Sequence, residues 1–179
     1  DHGVALINRT RLVMTLIGVA LILFTAGWAG RIAGSWAAVA AAALLALDPT
    51  VLAHAPLLKN DVPMALVMLL TVIVTWRAGQ SITWANAIGL AVLCGLAINV
   101  KLSAVILPGI VAMCLGVRAL MREDWVVLGH KIKSRAARLA VVPVMLLLIG
   151  GSIVLITWSA YGFRFAPSSN PALGFQPDE

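Results

Sequence analysis

One short stretch of this sequence crowds four ionisable side chains between apolar runs. Asp48-Pro-Thr-Val-Leu-Ala-His-Ala-Pro-Leu-Leu-Lys-Asn-Asp61 holds Asp48, His54, Lys59 and Asp61. Pro49 and Pro56 interrupt helical continuity, so the chain must bend here. Ionisable groups close to apolar spans are costly to place and commonly line a functional cavity. Plainer roles compete for the same residues. Asp61 before Val62-Pro63 has the pattern of a helix N-cap, with an acid at the positive dipole end and proline in the first turn. The cap and a site role are compatible. Lys59 and Lys101 can snorkel toward headgroups, and His54 between alanines suits a hydrogen-bonded packing residue. Three isolated histidines without Cys or His spacing form no metal motif. Nothing resembles a phosphate-binding loop, a nucleophile elbow or a nucleic-acid-binding pattern.

The elements that position these residues follow from composition. With 61% hydrophobic and 11% charged residues, the chain has fewer than half the charges of a soluble domain, which carries roughly 25%. A water-soluble core could not hide this much apolar surface, and low charge excludes disorder. Cys94 and Cys114 lie inside apolar runs and read as small packing residues. The chain is therefore expected to be an all-α, polytopic membrane protein. The net charge of +6 belongs to membrane loops and not to nucleic-acid binding.

Charged residues divide the sequence into six expected spans, at about 12–30, 32–48, 62–77, 84–100, 102–117 and 139–158. Several fall short of the roughly 20 residues a spanning helix needs, so flanking residues or thinned bilayer must make up the difference. Residues 84–117 are too long for one crossing, which predicts a tight turn at Asn99-Val100-Lys101-Leu102-Ser103. Eight of the 13 basic residues fall in the first, third and fifth loops, and five on the opposite side. The positive-inside rule then makes the basic loop 118–138 cytoplasmic and both termini, including the tail 159–179, extracytoplasmic. That loop suits either an amphipathic helix in the interface or an ordinary positive-inside connection. The chain opens on Asp1 with no signal-peptide pattern, and reads as a piece of something longer.

Four segments then carry a resemblance. ALDPTVLAHAPLLKNDVPMAL resembles a segment of GT-C-fold, polyprenyl-phosphate-dependent glycosyltransferases of the protein O-mannosyltransferase (family 39) type. GLAINVKLSAVILP is similar to a later segment of that family, and WSAYGFRFAPS to the stretch leading out of a later span. Arg11 and the Gly34 region match an Arg that opens one span and a Gly that follows it. The four run in the family's order over nearly the whole chain.

The resemblance implies part of a GT-C membrane core in the plasma (inner) membrane. It also implies sugar transfer from a polyprenyl-phosphate-linked donor to a hydroxyl acceptor on protein or glycan, at the extracytoplasmic face. A departing phosphate calls for basic groups at the membrane surface, and Lys101, Lys59 and Arg11 are the candidates. His54 and Tyr161 would line the site. In the family the principal acid follows the first span, a region that would precede Asp1; Asp61 is the matching acid left and is assigned a secondary role. Asp178-Glu179 does not match the family's loop position. No cofactor is implied, and a divalent-metal requirement stays open. Two other functions remain: a transporter, which would place polar residues at mid-membrane, and a non-catalytic scaffold built on the same core.

Overall fold

The computed structural model describes residues 2–163. Asp1, Arg164, Asp178 and Glu179 lie outside the described residues, as does most of the expected tail.

The first helix, α1, runs unbroken over His2–Ala33 and turns directly into α2, Ser35–Ala46. Gly34 makes the turn with φ of 88°, a conformation that glycine adopts without steric cost. Small residues hold the two helices close: a Cβ placed on Gly30 would lie 3.1 Å from that of Ala38. After α2 the chain breaks at Asp48-Pro49. Asp48 caps the short helix α3, Pro49–His54, by accepting from Val51 N–H at 2.9 Å, and Pro49 occupies the first turn.

Helix α4, Asp61–Gln80, then packs against α1 and α5, Trp84–Val100. The predicted turn is a single extended residue, Lys101, followed by a 3-10 turn at Leu102–Val105 and helix α6, Ile106–Leu120. Helix α7, Arg135–Ala160, lies along α5 and α6. Leu90, Cys94, Val111, Leu115, Met145 and Ile149 form the buried centre of this group. Large apolar side chains also point outward, with Trp36, Leu44 and Leu147 each at least 74% exposed. Such a surface is stable only against hydrocarbon.

Among the described residues, four helical stretches are long and apolar enough to cross a membrane: Gly3–Ala33, Asp61–Gln80, Leu102–Leu120 and Arg135–Ala160. Helix α5, with 17 residues, stands at the lower bound for a crossing. Helix α2, with 12 residues, rises only about 18 Å. The helical membrane architecture is as expected, while the span expected at 32–48 is a short helix broken at Asp48.

Of the two readings of the basic loop, the interfacial helix does not form. The loop forms a hairpin of β2, Trp125–Val127, and β3, His130–Ile132. Strand β1, Ser81–Ile82, pairs in parallel with β2 to complete a three-stranded sheet. Leu128 and Gly129, with φ of 50° and 84°, make the two-residue turn whose twist matches antiparallel strands. The reason is local. Trp-Val-Val favours a pleated strand, and Trp125 buries completely against the helix ends instead of lying in lipid.

Candidate functional site

The expected site residues gather where α4 begins and α5 ends. Asn60 flanks α4 as its cap position without a side-chain cap bond, so Asp61 is the first helical residue. This corrects the N-cap expectation. The Asp61 side chain turns to Lys101, whose Nζ donates to Oδ1 at 3.0 Å. It is the one ion pair among the described residues. Both partners are open to the surroundings, at 47% for Lys101 and 60% for Asp61.

Each side chain is placed by its backbone. Lys101 ends α5 in an extended conformation (φ −153°, ψ 123°), with its N–H bonded to Ala97 C=O at 2.9 Å. That single extended residue swings the side chain out of the helical stack toward α4. Two residues earlier, Asn99 donates to Gly95 C=O at 2.8 Å and to Thr157 Oγ1 at 3.1 Å, tying α5 to α7. Gly95 permits this approach: an added Cβ would stand 2.6 Å from Ile156 Cδ1 and 3.3 Å from Ser152 C=O. The Gly-Leu-Ala-Ile-Asn-Val-Lys segment thus has a physical logic, in which close packing at Gly95 and a clamp at Asn99 fix the position of Lys101. Asn99 and Gly95 stood in the sequence only as a polar interruption and a matched letter.

Lys101 dominates the electrostatics at the Asp61 carboxylate, and Lys59 and His54 add weaker attraction from the α3–α4 segment. His54 Nδ1 lies 2.8 Å from Thr50 C=O, one turn back in its own helix, as the packing role anticipates. Lys59 is exposed. These four residues therefore share one field.

The other two candidates stand apart. Arg11 is exposed on α1, and among the described residues no hydrogen bond or ion pair engages its guanidinium. It lies two turns before Gly18, where α1 meets Ala55 and Val62. Tyr161 closes α7 one turn beyond Thr157 and is 72% exposed. No group of three His, Cys, Asp or Glu among the described residues is placed to hold a metal ion.

An ammonium carries three donors, and Asp61 uses one from Lys101. The remaining two can meet an anion while the carboxylate next to it accepts from a hydroxyl. Binding a phosphate beside a hydroxyl is therefore within the reach of this pair.

A family model described as "Dolichyl-phosphate-mannose-protein mannosyltransferase" matches residues 5–149. The match takes in Asp61 and Lys101 and stops short of Tyr161. No curated protein and no solved structure matches the chain.

Proposed function

The chain belongs to the dolichyl-phosphate-mannose-protein mannosyltransferase family, and on that footing we infer how its own residues serve sugar transfer. The donor is a polyprenyl-phosphate-linked sugar, and the acceptor is a hydroxyl on protein or glycan. The Asp61–Lys101 end lies outside the plasma (inner) membrane, with the sheet end and its basic loop in the cytoplasm.

The observation that carries this reading is the Lys101–Asp61 pair, a cation and an acid 3.0 Å apart at the ends of apolar helices. Lys101 holds the donor phosphate. As the acceptor hydroxyl oxygen bonds to the sugar's anomeric carbon, the bond from that carbon to the phosphate oxygen breaks, with its electron pair leaving on the phosphate. The hydroxyl proton passes to a carboxylate base, the role that the resemblance gives to the family's principal acid. Lys101 then offsets the charge left on the departing phosphate. Lys59 adds positive potential, and Arg11 reaches the carrier's phosphate from α1. Asp61, in a supporting role, accepts from a hydroxyl of acceptor or sugar and keeps it oriented. His54 and Tyr161 line the approach.

Transport is the weaker reading. Thr15, Thr25, Thr71 and Thr75, within the long apolar helices, each bond to a carbonyl of their own helix and mark no path. A full-length protein reconstituted in vesicles with a radiolabelled polyprenyl-phosphate sugar tests the assignment. Transfer of label to a hydroxyl acceptor supports it, and movement of label across the bilayer without transfer overturns it.

A further inference from the structure

At the sheet end, far along α4 and α6 from Asp61, two arginines carry charge without a carboxylate. Arg118 donates through Nε to Gly79 C=O at 2.7 Å, through Nη1 to Glu123 C=O at 3.3 Å and through Nη2 to Asp124 C=O at 3.0 Å. Its guanidinium also lies 5.7 Å from the centre of the Trp125 ring. Arg138, only 5% exposed, donates to Glu123 C=O at 2.6 Å, and its Nε has no partner. Among the described residues neither arginine forms an ion pair. Residues 118–138 hold six basic and two acidic side chains.

Arg118 also stands at one end of a groove between α4 and α6. This groove, of about 420 Å³, is bordered by Val72, Trp76, Leu107, Ile110 and Cys114, with Glu123 beside Arg118 at its charged end. It lies between two helices long enough to span a bilayer, so hydrocarbon and not water is the medium that meets it. A chain seated in it runs along the helices and brings its head to Arg118. A guanidinium has five donors, and carbonyls occupy three of them here, which leaves two for an anion.

We propose that this groove binds an acyl chain of an anionic phospholipid from the leaflet at the sheet end, with the lipid phosphate against Arg118. The apolar walls select a lipid chain, and the excess of six basic over two acidic side chains in residues 118–138, Glu123 at the mouth included, selects an anionic headgroup. The site is separate from Asp61 and Lys101, and it stands whether or not those residues bind a sugar donor.

The test uses full-length protein, delipidated in detergent and offered equal amounts of phosphatidylglycerol and phosphatidylcholine, with retained lipid counted by native mass spectrometry. Phosphatidylglycerol should be retained at least about tenfold over phosphatidylcholine, equivalent to about 1.4 kcal/mol. Arg118→Gln should bring the two lipids close to parity. Cys114→Trp, placed at an exposed groove position, should lower retention of both while leaving gel-filtration behaviour unchanged. Should Arg118→Gln fail to fold, the lipid ratio in wild type and the loss in Cys114→Trp decide the matter. Equal retention of both lipids by wild type overturns the proposal, as does undiminished retention by Cys114→Trp. A dimer that carries no lipid overturns it too, and gives the groove to a second copy of the chain.

Discussion

Lys101 and Asp61, forty residues apart in sequence, meet at 3.0 Å because a single extended residue ends α5 beside the first residue of α4. The pair is half exposed, so its geometry contributes little to stability; exposed ion pairs seldom do. A contact that adds little to folding, yet is supported by the Gly95 packing and the Asn99 clamp, is better understood as part of a site.

Removing the charge of Asp61 should therefore affect turnover more than folding. Asp61→Asn in the full-length protein should leave expression and Tm unchanged, because the ion pair it weakens, Asp61 with Lys101, is exposed and adds little to stability. Turnover should fall at least about tenfold, within the range for a lost acid-base or orienting group. Wild-type turnover in the Asn variant would reduce Asp61 to a surface partner of Lys101.

Gly95 is the residue on which the α5–α7 contact depends. In Gly95→Ala the new methyl meets Ile156 Cδ1 at 2.6 Å and the Ser152 carbonyl at 3.3 Å. Ile156 can change rotamer, but the carbonyl moves only with its helix. Overpacking of this kind costs about 1–3 kcal/mol, measurable by denaturant unfolding in detergent. The Asn99–Thr157 bond should lengthen, and turnover should fall with it. Unchanged stability and turnover would mean that α5 and α7 are not held this closely.

How far the sequence could be read differs between the two ends. The helical membrane architecture, the turn at Lys101 and the concentration of polar residues before α4 were legible, because apolar runs and prolines report on local structure, whereas the span expected at 32–48 was not a full crossing. The meeting of Asp61 with Lys101 was not, since it depends on how α4 and α5 pack. Nor was the role of Asn99, whose partner Thr157 lies 58 residues away. At the sheet end, charge counting placed Arg118 and Arg138 in the basic loop and gave them no partners. Both instead grip backbone carbonyls, because β2 folds back against the end of α4 and leaves those carbonyls to be satisfied.

Trp125 should anchor that end. It is fully buried, and its Nε1–H donates to Ala78 C=O at 3.0 Å. Trp125→Ala should destabilise the protein by about 3–5 kcal/mol. Trp125→Phe keeps much of the ring but loses the donor, and should cost about 1–3 kcal/mol. Thermal unfolding followed by circular dichroism checks both, and wild-type stability in Trp125→Phe would deny the hydrogen bond a role.

The inferred orientation is open to direct labelling. In a background with Cys94→Ala and Cys114→Ser, Asn60→Cys should react with an impermeant maleimide in intact cells, and Ser134→Cys should react only after permeabilisation. The reverse pattern would put the Lys101 end inside the cell.

The most direct measurement is the steady-state kinetics of full-length Lys101 variants with a polyprenyl-phosphate sugar donor. A lysine that merely snorkels needs only positive charge and tolerates Arg, whereas one ammonium fitted to one phosphate beside Asp61 does not accept the wider guanidinium fork. Lys101→Ala should raise the donor KM at least about tenfold, as loss of a uniform binding contact does, and Lys101→Arg should restore it only in part. The acceptor KM should stay within about twofold of wild type. A parallel fall in kcat would show that Lys101 also stabilises the leaving phosphate. Full rescue by Arg, or an unchanged donor KM in the Ala variant, would contradict the assignment of the donor phosphate to Lys101.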